Sequence, residues 1–441
     1  MRLPDVAVPV LTMFHPAFST PTYHRFLVLW LGAIMTTGRQ TSTNLLRTVR
    51  HHANGHVSSY HRVFSMRRWS TWELARLLLA FLLHYVVPPG PVLLAGDDTV
   101  AERPGPHVFG KARHRDGVRS THSYTAYRWG HQWVVLSVLV KFPFAIRPWA
   151  LPVLVAFYRG PEWAQVQGTR HKTPAHLARL LLARGVRWSP ARRFIFVGET
   201  GYGTSETARF CSKYGRHLTV VSQFYGDAAL YEPPPPRTPG TTGRPRVQGR
   251  KLAAPPGVVA AAAKRTTLTV AWYGGSTRNI EVGTGTGQWY RIGEALVEVR
   301  WVYVHDCSGT PRDEYCFTTD VTMRPQQIVA CYTQGWSVEP TFQEGREYLK
   351  LASMKGDSQH TVLRLTPCLL GLYTAIVLLY LQLPETSRTP RAVFWKGKTT
   401  VTFSDMMTCV RRAIAEQWCF HTPEDRQACS KLSPSLQDTI L

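Results

Sequence analysis

VLLAGDDT, residues 92–99, decides the fold. Its apolar start, 92–95, is too short for a buried helix and reads as a buried β-strand, and the chain turns acidic where that run stops, at Asp97 and Asp98. A second passage has the same design: RFIFVGETGYG, residues 193–203, carries an apolar strand into Glu199. A third acid, Glu339, lies in the helical pattern of CYTQGWSVEPTF, residues 331–342. Carboxylates at strand ends and on a facing helix are a way to hold hard divalent cations, which take oxygen ligands.

Working outward, residues 1–88 have helical spacing and clusters of Arg and His, such as Arg47, Arg50, His51 and His52, and are expected to form a helical DNA-binding domain. From 89 to 225 strands are expected at 92–95, 123–128, 132–141, 152–158, 193–197 and 217–223, with helices at 174–184 and 205–213. Paired strands followed by alternating strands and helices predict an α/β core with a mixed sheet flanked by helices, an order compatible with an RNase H-like fold. Residues 226–320 interrupt it with a linker rich in Pro and Arg, then β-rich sequence with strands expected at 266–273, 279–282, 288–292 and 296–305. Residues 321–384 return to the core with helices at 324–332, 337–351 and 361–383, and 385–441 form a C-terminal region with one helix at 404–417.

Fifty-two Lys and Arg against 28 Asp and Glu give a net charge of +24, which favours a polyanionic partner. The eight cysteines contain no CxxC pair, which predicts reduced thiols and argues against zinc. The N-terminus is broken by prolines and lacks the look of a secretory signal, so a cytoplasmic, nucleoid-associated protein is expected. The apolar run 368–383 is shorter than the roughly 20 residues a membrane span needs, so it is expected to be a buried helix, with no membrane partner.

Singly these acids say little, since an Asp after a strand is commonly a turn residue; their company says more. Residues 94–99 resemble the Asp-x-Thr signature at the first catalytic strand of insertion-sequence transposases of the DDE type. Residues 193–204 resemble their second block, where a strand ends in Asp-x-x-Tyr-Gly, with Glu199 in place of the usual Asp. In one large group the third block reads Tyr, two residues, Arg, three residues, Glu, six residues, Lys, with Trp after the Arg. Tyr332, Trp336, Glu339 and Phe342 stand at the expected places, Gly335 replaces the Arg and Arg346 the Lys, and the resemblance runs from about residue 92 to 351.

The resemblance implies an RNase H-like core and a metal-binding catalytic triad of Asp97, Glu199 and Glu339, holding two Mg²⁺ ions, with Mn²⁺ as a substitute. Asp98 is the alternative first acid, and because successive strand residues face opposite ways only one of the pair reaches the metals. The activity implied is cleavage of DNA at terminal inverted repeats and transfer of the ends to target DNA, by a homodimer on DNA. Tyr332 and Arg346 are expected to contact DNA, as are Lys111, Arg113, Arg115 and Arg119, which follow the first acid closely. Arg for Lys at 346 keeps a phosphate binder. Gly335 removes a contact and weakens its helix by about 1 kcal/mol, and Trp336 is expected in the core, with stacking on a base as the alternative. The extra methylene of Glu199, with Gly335, leaves open a catalytically impaired DNA-binding remnant, and the same fold also admits a different Mg²⁺-dependent nuclease, against which the 140-residue gap from Glu199 to Glu339 argues.

Overall fold

The computed structural model describes residues 3–431 apart from 104, 117–118, 122, 200, 238–241, 243–244, 263–264, 308–312, 352–354, 389–397, 399, 420–423, 425–426 and 429–430. Five N-terminal helices, α1 (Val8–Leu11), α2 (Thr20–Met35), α3 (Ser42–Thr48), α4 (Val57–Ser65) and α5 (Thr71–Tyr85), lead into β1 (Val92–Glu102), β2 (Ala112–Arg115), β3 (Tyr127–Val140) and β4 (Trp149–Tyr158). Next come α6 (Pro161–Val166), α7 (Pro174–Trp188), β5 (Phe194–Gly198), α8 (Ser205–Lys213) and β6 (Leu218–Gln223). The chain continues through β7 (Leu230–Tyr231), α9 (Pro255–Ala261), β8 (Thr266–Ala271), β9 (Thr277–Trp289), β10 (Val297–Asp306) and β11 (Asp313–Thr318). It closes with α10 (Pro325–Gly335), α11 (Val338–Tyr348), α12 (Gln359–Gln382) and α13 (Phe403–Cys419). Side-chain caps start several of these helices: Thr173, Thr204 and Ser358 accept from the backbone N–H groups of His176, Thr207 and Thr361.

One mixed sheet runs through the molecule. β3 is antiparallel to both β1 and β4, while β1, β5 and β6 are mutually parallel, the order of an RNase H-like sheet. β11 pairs with β6 and carries β10 and β9 after it, so the strands between the second and third acids extend this sheet.

Several strands run longer than their apolar cores predict. β1 does not stop at Ala95: its pairing with β3 continues from Leu94↔Val138 to Glu102↔Gly130, which places Asp97 and Asp98 inside the strand. What ends near the acids is the other ladder, since the parallel pairing with β5 finishes at Gly96↔Gly198. β3 takes in residues 132–140 of one expected strand and only the last two residues of the one expected at 123–128, and β9 runs from 277 through the expected 279–282 to Trp289, leaving 290–292 outside any strand. β11 was not expected from the sequence, where Asp313 and Glu314 follow Gly309 and Pro311 and give no apolar start.

The helices explain the apolar residues the sheet leaves uncovered. α12 is the one described helix long and apolar enough to cross a membrane, and 72% of its apolar window is buried inside the protein. It packs on β4 and on the N-terminal helices, with which the sheet shares one core. Arg364 on α12 donates to the carbonyls of Phe64 and Trp69 and covers the Trp69 ring at 4.8 Å.

β4 pairs only with β3 among the described strands, so its outer carbonyls need other donors. Thr374 on α12 donates its hydroxyl to Pro152 O at 2.7 Å, and Thr341 on α11 donates to Ala150 O at 3.0 Å, both buried. Thr374→Val keeps the shape and removes the donor, so it is expected to cost about 1–3 kcal/mol in chemical denaturation. A change within experimental error would show that these hydroxyls are not what seals the sheet edge.

Candidate functional site

The sheet delivers the first two acids together. The β1–β5 ladder ends at Gly96↔Gly198, and Asp97 and Glu199 are the next residues on each chain. Ser222 on β6 holds the second by donating to the carbonyls of Gly198 and Glu199, at 2.5 and 3.2 Å. The third acid arrives by helix packing. Gly335 ends α10 so close to β5 that a Cβ there would stand 2.5 Å from Val197 Cγ1. The chain breaks at Trp336 and Ser337, and Glu339 falls in the first turn of α11, where a carboxylate is favoured by the helix dipole. Asp97, Glu199 and Glu339 line one cavity with Gly96, Gly198, Tyr332 and Trp336.

Burial pushes the Asp97 carboxyl well above the usual range, and the charges of Asp98, Glu199 and Glu339 push it further. Glu199 is raised by partial dehydration of its carboxyl, then by Glu339 and Asp98, although the residue sits exposed at the rim. A bound cation would offset this mutual repulsion, and an all-carboxylate donor set suits a hard divalent ion. Among the described residues, no three His, Cys, Asp or Glu side chains already stand as a closed metal-holding group. The donors therefore fit a metal by chemistry, with the exposed Glu199 and Glu339 side chains as the parts free to close on it.

Alternation along β1 separates Asp97 from Asp98. Asp98 faces the opposite side of the sheet, where it accepts from the Tyr202 hydroxyl at 3.0 Å and from Gln132 Nε2 at 2.5 Å. Its backbone N–H donates to Asp97 Oδ1 at 2.7 Å. Tyr202 was legible only as part of the second signature, and Gln132 carried no signal at all.

The remaining candidates divide. Tyr332 lines the cavity, and burial raises its phenol far enough that it stays a neutral donor. Arg346, seven residues beyond Glu339 on α11, is half-buried and donates to Thr99 Oγ1 at 2.9 Å, two residues past Asp97. Lys111, Arg113, Arg115 and Arg119 are not brought into the cavity; Lys111 stands just before β2, Arg113 and Arg115 on it and Arg119 just beyond it. Trp336 is not in the core. It is 49% exposed at the cavity's lip, edge-on to Tyr273 at 5.8 Å, because the break between α10 and α11 turns it outward. The Gly at 335 likewise has a packing reason, the contact with Val197, that a larger residue would violate.

A family model described as DDE superfamily endonuclease matches residues 13–279, a stretch that holds Asp97 and Glu199 but ends before Glu339. No curated protein matches the sequence. Among solved structures the chain is similar to the piggyBac transposase in a cryo-EM synaptic complex with hairpin DNA. The TM-score is 0.41 at 10% identity, covering 99% of this chain and 80% of that one.

The raised carboxyls set the sign of a pH effect. A folded state that holds protons more tightly than the unfolded one loses stability as pH rises from the unfolded carboxyl value through the folded one. Without metal, Asp97→Asn is therefore expected to melt higher than wild type at neutral pH. Mn²⁺ or Mg²⁺ should raise the wild-type melting temperature by a few degrees, since ligand at about 100 times Kd contributes about 2.7 kcal/mol. Scanning fluorimetry with and without EDTA reads both effects. An unchanged cation response in Asp97→Asn would remove Asp97 from the metal site.

Proposed function

The chain belongs to the DDE superfamily of endonucleases, and we propose that it is a transposase that binds the terminal inverted repeats of its own element, cleaves the DNA there and transfers the ends to target DNA. The observation that carries this reading is the gathering of Asp97, Glu199 and Glu339 around one cavity from two strands and a facing helix. Members of the superfamily use divalent metal ions. Here the three carboxylates would hold two Mg²⁺, with Mn²⁺ as a substitute, and the bound ions would activate a water or 3′-hydroxyl and stabilise the leaving oxygen.

The chain's own residues supply position and charge. Arg346, which donates to Thr99, would grip a phosphate beside Asp97, and the neutral Tyr332 phenol would donate to another. Asp98, already bonded to Tyr202 and Gln132 on the far face, serves as a support for β1 and not as a ligand. Lys111, Arg113, Arg115 and Arg119 would hold the DNA further from the cut, residues 1–88 would read the repeats, and a homodimer would bring two ends together.

Glu199 supports a second reading, a transposase remnant that binds DNA and cleaves slowly. Mg²⁺ requires near-ideal octahedral geometry, and an error of about 1 Å in placing a reacting group costs on the order of a hundredfold in rate. The test is metal-dependent cleavage of the DNA ends flanking the gene. Asp97→Ala and Glu339→Ala are each expected to lower the rate by on the order of a hundredfold or more, and activity surviving both would defeat the triad. Glu199→Asp should accelerate cleavage if geometry is limiting, and an unchanged rate would sink the remnant argument.

A further inference from the structure

The two faces of the β2–β3 ribbon are unlike. Its inner face buries His114 and packs Arg128 against Asp116. Its outer face sets Arg113 opposite Trp129 and Arg115 opposite Tyr127. Trp129 is 58% exposed and Tyr127 50%. The Arg113 guanidinium lies 3.9 Å from the Tyr127 ring centre, and the Lys111 ammonium 5.6 Å from that of Trp129. Arg and Lys alternate with large exposed aromatic rings, and no carboxylate shares this outer checkerboard on the paired residues.

Strand parity ties the ribbon to the candidate site. Asp97 pairs with Val135, and from Val135 every second residue of β3, including Trp129 and Tyr127, projects on that same face. Trp129 is six residues and Tyr127 eight residues from Val135, or about 20 and 27 Å at roughly 3.4 Å per residue. A strand in B-form DNA advances about 3.4 Å per nucleotide, so the rings stand at the distance of roughly six to eight duplex nucleotides from Asp97, and of fewer where the strand is unpaired and more extended.

We propose that this outer face is a stacking platform for unpaired DNA bases, with Trp129 and Tyr127 taking the bases, Arg113 extending the stack and Lys111 and Arg115 meeting the phosphates. The inference rests on DNA as the substrate proposed above. Phosphates alone would account for the cations; the exposed rings require a partner with accessible π-faces, which a single strand offers and a stacked duplex hides. An acidic peptide would leave the aromatics unused, and a second copy of the ribbon would set like charges against each other.

The test is fluorescence anisotropy of the full chain in EDTA with an oligothymidylate of about 20 nucleotides, an abasic strand of the same length, and a blunt duplex. Wild type should bind the thymidylate strand at least about tenfold tighter than the abasic one. Trp129→Ala and Tyr127→Ala should each weaken thymidylate binding by about 5- to 100-fold with abasic binding unchanged, while Trp129→Phe keeps most of the affinity. Arg113→Ala and Arg115→Ala should weaken both strands and flatten the salt dependence. Equal wild-type affinity for thymidylate and abasic strands would overturn the proposal. So would wild-type affinity in the Trp129→Ala/Tyr127→Ala double variant, which truncates only surface rings, or displacement by polyglutamate as effective as by DNA of equal charge. Because binding in EDTA reads no chemistry, absence of metal-dependent cleavage would count against the transposase reading and leave this result standing.

Discussion

The molecule depends on one mismatch between two ladders. β1 stays paired to β3 through Glu102 but loses β5 after Gly96, so one side of the strand is held while the other opens. Asp97 stands at that opening, rigid on one flank and facing a cavity on the other. A carboxylate placed there is partly dehydrated and close to two further acids, an arrangement that a folded chain has no stability reason to keep. The fold tolerates it because the acids enter from separate elements, whose positions are fixed by backbone contacts: the Ser222 hydroxyl beneath β5, and the approach of Gly335 to Val197 beneath α11.

The same strand shows how alternation sorts adjacent identical residues. Asp97 and Asp98 are alike in chemistry and neighbours in sequence, yet one meets Glu199 and Glu339 across a cavity and the other meets a phenol and an amide on the opposite face. The Asp98 N–H bonded to Asp97 Oδ1 joins the two, so a change at Tyr202 or Gln132 would be transmitted through β1 to the cavity. Support behind a carboxylate matters as much as the carboxylate where a reacting group must be held to within fractions of an ångström.

Much of this was legible in the sequence. The strands before two of the acids and the helix under the third follow from apolar runs and spacing, while the acids themselves stand out through their resemblance to the DDE-type signatures. The extent of β1 was not, because Asp-Asp-Thr looks like the end of a strand, and only a partner strand, β3, keeps it extended. β11 was hidden for the same reason: its acidic start, Asp313 and Glu314, pairs with β10 and its end, Cys316–Thr318, pairs with β6, which no local pattern records. Trp336 misled in the other direction. Trp beside an apolar helix predicts burial, but the helix breaks at that residue and turns it out beside Tyr273. Gly335 read as a lost side chain, whereas its meaning lies in a contact 138 residues away in sequence, with Val197.

Glu199 is best understood through what its backbone cannot do. Its carbonyl accepts from the N–H groups of Tyr202 and Gly203 and from the Ser222 hydroxyl, which pins the main chain on three sides. Any adjustment toward a cation must therefore come from the side chain. Glu has one more rotor than Asp, which lengthens its reach from a fixed Cα and raises the conformational entropy lost when the carboxylate is held, a loss of up to about 2 kcal/mol for a long polar side chain. Reach and entropy oppose each other, and the balance turns on whether the pinned backbone at 199 stands nearer or farther from the metal than a shorter Asp would need. A backbone held this firmly by β6 makes the second acid's length a matter of fit to the sheet, not of loose substitution at a mobile turn.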